Sequence, residues 1–319
     1  MPNSSSLAIP FAGRSTADDV LSGVDLAGKT FLITGCNSGV GFETMRALQA
    51  HGAHVIALAR SEQSARDAIA GGSGTPVACD LGDLASVDAA IGKIHGLGRQ
   101  LNAVIANAGV MGASQAEQLY GVEKQFWVNH VAHFRLVNGL LDLIPDRTAR
   151  IVVVSSLASK LSAPKGGIAF GDLDGRQNYS ATRFYAQSKL ANALFARELS
   201  QRLAERGIAV NSLHPGSILG TGFLRNAAAP IRLLLRLARP LGKTLPQGAA
   251  TQTLLAASPL VAGVTGALLE RLQSGQGQPA SRTCGIARAA LDGDRGCFDA
   301  GAARVHDLRF AIPCLRSNG

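Results

Sequence analysis

Six short, nearly unbroken apolar runs punctuate this 319-residue chain, each followed by a longer stretch of mixed polarity. The runs are KTFLIT (29–34), HVIALA (54–59), PVACD (76–80), LNAVIANA (101–108), ARIVVVSS (149–156) and IAVNSLHP (208–215). Helical patterns fall at about 40–51, 62–70, 84–95, 117–143 and 183–206. A strand with one wet face alternates apolar and polar residues, whereas a strand that does not alternate is covered on both faces. Such strands separated by helices imply a doubly wound α/β fold, a parallel sheet with helices on either side, built as a single domain. That domain is expected over 29–270, with residues 1–28 as a lead-in strapped to its surface and 271–319 as an irregular tail.

Composition removes several function classes. Lys and Arg outnumber Asp and Glu by 31 to 22, a formal charge of +9. Nucleic-acid binding would need those cations clustered with an aromatic platform or a groove-reading motif. Apart from 225–243 the arginines are scattered, so no nucleic-acid partner is expected. The five cysteines, Cys36, Cys79, Cys284, Cys297 and Cys314, include no C-x-x-C pair, which fits reduced thiols and no metal site. No apolar run approaches the roughly 20 residues that cross a bilayer. MPNSSSLAIP lacks the basic start and apolar core of a secretory signal, so the expected location is cytoplasmic.

The first strand runs into TGCNSGVG and then a helix. A strand, a glycine turn and a helix in this order suit a dinucleotide. The turn must be tight, the backbone must be bare enough to approach the pyrophosphate, and the helix N-terminus favours negative charge. Gly35, Asn37, Ser38, Gly39, Val40 and Gly41 are the candidate positions. The second strand ends in Ala59 and Arg60, where a fold selecting NAD usually carries a carboxylate. The forked donors of Arg60 favour a 2'-phosphate, so NADP is the expected cofactor and NAD the alternative. Tyr185 and Lys189, in YAQSK, stand four apart and share one helical face. By itself that spacing is also an ordinary amphipathic turn. If the ammonium lies about 5 Å from the phenol at an effective dielectric near 20, it favours phenolate by about 3 kcal/mol, or roughly two pKa units.

The order and spacing of TGCNSGVG, Asp80-Leu81, ANAG (106–109), Asn129, Ser155-Ser156, YAQSK and HPG (214–216) resemble the short-chain dehydrogenase/reductase family over about 29–258. The lead STADDVLSGVDLAGKTFLITG, VNHVAHF and YAQSKLANALFARELSQRL are similar to its retinol-dehydrogenase-like branch. The resemblance implies a Rossmann fold and hydride exchange between nicotinamide and an alcohol or carbonyl carbon. It implies that Tyr185 exchanges the proton, Lys189 tunes it and holds the nicotinamide ribose, and Ser156 rather than Ser155 binds the substrate oxygen. Asn129 would support a water linking the lysine to solvent. Asp80 and Leu81 would contact adenine; Asn107, Ala108 and Gly109 would lie against the cofactor riboses; Pro215, Gly216, Ile218 and Thr221 would face the nicotinamide amide. For Asp80 a helix cap remains the alternative. Segment 217–245 is expected to form a lid, and its apolar residues imply an apolar alcohol or carbonyl substrate. The face carrying Arg232, Arg236 and Arg239 leaves a membrane surface as the lesser alternative. A homo-oligomer is a family expectation. A Ser-His hydrolase using His130, His133 or His214 has no G-x-S-x-G elbow to support it. The rivals are a non-catalytic NADP(H) sensor or scaffold and a dehydratase or epimerase of the same fold. The tail after 270 departs from the family, which puts the last strand in doubt.

Overall fold

The computed structural model describes residues 10–11, 13–112, 115–216, 218 and 242–269. Seven strands form one parallel sheet: β1 (Thr30–Thr34), β2 (His54–Ala59), β3 (Gly74–Ala78), β4 (Ala103–Ala106), β7 (Arg150–Val154), β8 (Ala209–Leu213) and β9 (Leu268–Leu269). Their order is β3-β2-β1-β4-β7-β8-β9. A separate hairpin joins β5 (Gln118–Leu119) to β6 (Val122–Glu123). The chain winds outward from β1 to β3, then returns to β4 and winds the other way. The crevice between β1 and β4 is therefore the switch point, where ligands of such sheets sit.

Alternation does exist along the strands, but between two dry faces. Leu32, Ile56, Leu58, Val104 and Ile151 belong to one buried cluster, while Phe31, Ile33, Val55, Ala57 and Ile105 belong to another. The first lies under α4 (Leu84–His95) and α8 (Ala181–Arg202). The second lies under α1 (Ala17–Leu21), α2 (Gly39–Ala50) and α9 (Leu245–Ala257). Burying each large aliphatic side chain stabilises by about 1.5–3 kcal/mol.

Several elements differ from the sequence expectation. β3 begins two residues before Pro76, because it is the edge strand and an edge tolerates a residue without an N–H. The first part of the helix expected over 117–143 is instead the β5–β6 hairpin, whose two loop residues Tyr120 and Gly121 both take positive φ. The helical part comprises α5 (Lys124–Phe126), a π-helical turn (Trp127–Val131) and α6 (Ala132–Asn138). The lead-in holds α1, closed by a reciprocal Thr16–Asp19 capping box, with Ala17, Val20 and Leu21 fully inside the core. The last strand is present: Leu268 and Leu269 pair in parallel with Ser212 and Leu213. α3 (Glu62–Ile69) and α7 (Ala158–Leu161) complete the helices used below. Thr221, the arginines at 232, 236 and 239, most of the expected lid and the tail from 270 lie outside the described residues.

Candidate active site

A parallel sheet delivers every strand's carboxyl end to one edge, and all the candidate segments arrive there. Gly35 follows β1, Arg60 follows β2, Asp80 lies just past β3, Asn107 follows β4, Ser155 and Ser156 follow β7, and His214-Pro215-Gly216 follow β8.

On the β1 side the turn is shaped by missing side chains. Gly35 has φ +70°, and a Cβ there would lie 3.1 Å from Cα of Ala108. At Gly41 a Cβ would collide with the Gly35 carbonyl oxygen and come within 2.5 Å of Asn107 Nδ2. That amide is fixed in turn, donating to the Thr34 carbonyl at 2.9 Å. Asn37 and Ser38 are exposed on the crevice edge, Gly39 and Val40 partly so. Ser38 is the N-cap of α2, but its side chain makes no capping bond, and α2 carries no acidic residue in its first turn. A bare backbone and a helix N-terminus free of local carboxylates fit a pyrophosphate. Asp80 is not the cap of α4, a role held by Asp83; its carboxylate accepts the Gly82 N–H at 2.9 Å. Leu81 is buried. Arg60 is exposed beside Ser61, the N-cap of α3.

On the β7 side the site is a wall of buried polar groups. Tyr185 and Lys189 lie on α8, started by the N-cap Ser180. The Ser156 hydroxyl interacts with the Tyr185 phenol and favours its ionised form. The neighbouring Ser155 turns inward, donating to the Lys189 carbonyl at 2.7 Å, so the two serines have different tasks. Lys189 Nζ stands 5.8 Å from the Tyr185 ring centroid and donates to the Val154 carbonyl at 2.9 Å. Burial pushes Lys189 down to about 8. Burial also pushes the Tyr185 phenol above its ordinary value, against the pull of the Ser156 hydroxyl. This reverses the direction expected from the lysine spacing alone, because removing the phenol from water disfavours phenolate.

Asn129 sits in the π turn and is fully buried. Its carboxamide clamps Val110, accepting from the backbone N–H at 2.7 Å and donating to the carbonyl at 2.9 Å, and it also donates to Ser188 Oγ at 3.0 Å. Its backbone carbonyl accepts from His133 Nδ1 and Asn192 Nδ2, both at 3.1 Å. A carbonyl oxygen has two lone pairs, and these two side-chain donors meet it from α6 and α8. Gly109 belongs here as well: a Cβ on it would lie 3.2 Å from Asn129 Oδ1 and 3.4 Å from Lys189 Nζ.

The sequence reading did not identify Thr34 or Asn192. Thr34 Oγ1 accepts the N–H groups of Asn107 and Ala108, each at 3.0 Å, and donates to His133 Nε2 at 2.9 Å. That bond leaves the His133 proton on Nδ1, facing the Asn129 carbonyl. His130 pairs with Asn192. The partners of both histidines, Thr34, Asn129 and Asn192, thus belong to the scaffold rather than to either serine. Of the remaining candidates, Pro215, Gly216 and Ile218 follow β8. A Cβ on Gly216 would meet Lys243 Cδ at 2.9 Å, and Ile218 packs on Gly248 of α9. Among the described residues no group of three His, Cys, Asp or Glu could hold a metal ion. No described helix is long and apolar enough to cross a membrane.

Comparison with known proteins bears on this geometry. Residues 29–231 match the short chain dehydrogenase family profile. The chain is 40% identical over 265 residues to retinol dehydrogenase 14 of Mus musculus, covering 75% of this chain and 76% of that protein. It is 36% identical over 268 residues to the WW domain-containing oxidoreductase of Gallus gallus, covering 80% of this chain but only 64% of that protein's length. A crystal structure from Mycobacterium paratuberculosis aligns with a TM-score of 0.67 at 30% identity, over 92% of this chain and 96% of that one. The angucycline C-6 ketoreductase LanV with bound NADP aligns with a TM-score of 0.61 at 27% identity, over 77% of this chain and 95% of that one.

Proposed function

The chain belongs to the short-chain dehydrogenase family, and from that premise we propose that it is an NADP-dependent oxidoreductase acting on an alcohol or carbonyl carbon of an apolar small molecule. The observation that carries this reading is that Lys189 stands 5.8 Å from the Tyr185 ring, with Ser156 interacting with that phenol, at the same sheet edge as the glycine turn. In this reading Gly35, Asn37, Ser38, Gly39, Val40 and Gly41 receive the pyrophosphate at the start of α2. Asp80 and Leu81 flank the adenine, and Asn107 to Gly109 lie along the riboses. Pro215, Gly216 and Ile218 lie toward the nicotinamide amide. Arg60 takes the 2'-phosphate; the NADP held by LanV is consistent with that choice. When bound, the cofactor supplies or accepts the hydride.

The chain's own residues handle the oxygen and its proton. Ser156 donates a hydrogen bond to the substrate oxygen and fixes it beside Tyr185. The raised phenol pKa keeps Tyr185 protonated at neutral pH, so it can give its proton to that oxygen as the carbonyl carbon is reduced. In the reverse direction the phenolate takes the proton back. Lys189, with a pKa of about 8, is mostly charged at pH 7 and favours the phenolate that reduction leaves behind. Asn129 holds the strand-end segment at Val110, and with it Gly109, against the lysine. Val110, Met111, Leu157 and Leu161 are exposed apolar side chains on the segments that follow β4 and β7, which suits an apolar substrate.

The direct test is turnover of NADPH with a panel of ketones and aldehydes by the wild type and Tyr185→Phe. The variant should lose about 10²–10⁴-fold in kcat, the usual worth of a general acid, with an unchanged fold. Equal rates would remove the mechanism.

A further inference from the structure

One side chain joins the carbonyl oxygens of Asn129 and Val154. Asn192 lies three residues beyond Lys189 on α8, is fully buried, and donates from Nδ2 to both oxygens at 3.1 Å. The Val154 oxygen is also the acceptor for Lys189 Nζ at 2.9 Å. With Nδ2 spent on two carbonyls, Asn192 Oδ1 meets Nδ1 of His130 at 3.0 Å, and that nitrogen must carry the proton. His130 is wholly buried against Phe126, Phe134 and Phe195, and its Nε2 has no hydrogen-bond partner among the described residues. Protonating the ring would bury a second N–H without an acceptor, so the imidazole stays neutral, with its pKa pushed down to about 4. The amide orientation is therefore locked: a flip would set its oxygen against two carbonyl oxygens and its NH₂ against an N–H.

We propose that Asn192, oriented by His130, is a positioning residue that sets how strongly the Lys189 ammonium is held at the Val154 carbonyl. The proposal rests on the reading of Tyr185 and Lys189 as the working pair. A carbonyl shared between an amide N–H and an ammonium binds each less strongly than it would bind either alone. The amide hydrogens also point partial positive charge into the neighbourhood of the lysine. Both effects disfavour the charged lysine, in addition to burial. Among the described residues the titratable groups facing Lys189 are Tyr185 on α8, His130 in the π turn and His133 on α6. Both histidines titrate far below the lysine, so neither competes with it in the range that matters.

The test follows Lys189 in the cofactor-free chain by NMR of ¹³C-labelled lysine, in the wild type, Asn192→Leu and Asn192→Val. Either variant removes the competing donor without adding a charge and should raise the Lys189 midpoint by about half to one pH unit. The alkaline limb of kcat should move the same way in both variants. Asn192→Val removes the donor with less bulk, so it decides where the leucine variant does not fold. A Lys189 midpoint that stays put or falls, with only a lower melting temperature, overturns the proposal and leaves Asn192 as packing. The lysine titration needs no turnover, so its outcome is separate from that of Tyr185→Phe.

Discussion

The two sides of the crevice are built on opposite principles. At the β1 side the turn from Gly35 to Gly41 is shaped by the absence of side chains: a Cβ at Gly41 has no room, and the ligand-facing surface is backbone. At the β7 side polar side chains do the holding, bonded to one another and to backbone carbonyls, and nearly every polar atom is spent. Ser155 holds the Lys189 carbonyl, Asn129 holds Val110, and His133 bridges Thr34 to Asn129. The first side fails by steric collision. The second fails by orphaned hydrogen bonds and misplaced charge, which in a low-dielectric interior cost more than their number suggests.

The paired serines divide that second side most sharply, and they should show the largest effect. Ser156→Ala removes the hydroxyl that acts on Tyr185 and should lower kcat by about 10²–10³-fold, as loss of one donor at a developing oxyanion does, with little change in melting temperature. Ser155→Ala removes an extra bond from the Lys189 carbonyl, which keeps its helical partner on α8, and should cost about 0.5–1.5 kcal/mol of stability with a smaller loss of kcat. Steady-state kinetics beside thermal denaturation of the two variants checks this; interchanged outcomes would mean that Ser155, not Ser156, serves the substrate.

Across the crevice, Gly41→Ala should act through volume alone. Over-packing against the Gly35 carbonyl and Asn107 costs about 1–3 kcal/mol, or the helix moves off the sheet and cofactor affinity falls. Denaturant unfolding and cofactor titration read the two results. Neither effect should vary with pH, since no titratable group takes part in the contact.

The polar wall, by contrast, should be acid-labile. His130 and His133 have folded pKa values of about 4 and about 3, both below the unfolded value of 6.5. Groups held neutral in the fold contribute their full stability above the unfolded value and lose it as pH falls toward the folded ones. The unfolded chain then binds protons that the folded chain refuses. Between pH 7 and pH 6 the two together should cost roughly 1–2 kcal/mol, and more below. Unfolding midpoints across that range, repeated with His133→Asn, measure it. A flat wild-type profile would mean that the rings are reached by water.

How much of this was legible in the chain follows from the same contrast. The strands were readable because both faces of the sheet are dry, which writes them as unbroken apolar runs; HVIALA coincides with β2. The glycine turn was readable because absence of side chains is itself a sequence signal. α9 gave no periodic signal, since every residue from Gly248 to Ala256 is buried and no face is polar; only the Thr244–Gln247 capping box and Pro246 marked it. The positive φ at Tyr120 hid the hairpin, because tyrosine rarely occupies that region. In the site, Tyr185, Lys189 and Ser156 stood in local patterns, whereas Thr34, His133 and Asn192 act through partners 99 and 63 residues away in the chain, which no spacing reveals.

The smallest expected effect lies at the outer end of the glycine side, where exposure limits what a charge can do. Arg60 is solvent-exposed and follows a strand whose last residue, Ala59, leaves no carboxylate to meet a ribose hydroxyl. A guanidinium there gains from a 2'-phosphate through two charge-assisted bonds, but water and salt screen much of the attraction. Arg60→Ala should therefore weaken NADP binding by only about five- to tenfold and leave NAD binding unchanged, and the gap between them should narrow as ionic strength rises. Isothermal titration with both cofactors at low and high salt makes the comparison. If both weaken equally, Arg60 serves the adenine end in general and the 2'-phosphate is held by another residue. If neither changes, cofactor choice lies in the turn itself, in the exposed Asn37 and Ser38, and the division between a side built from backbone and a side built from side chains extends to the adenosine as well.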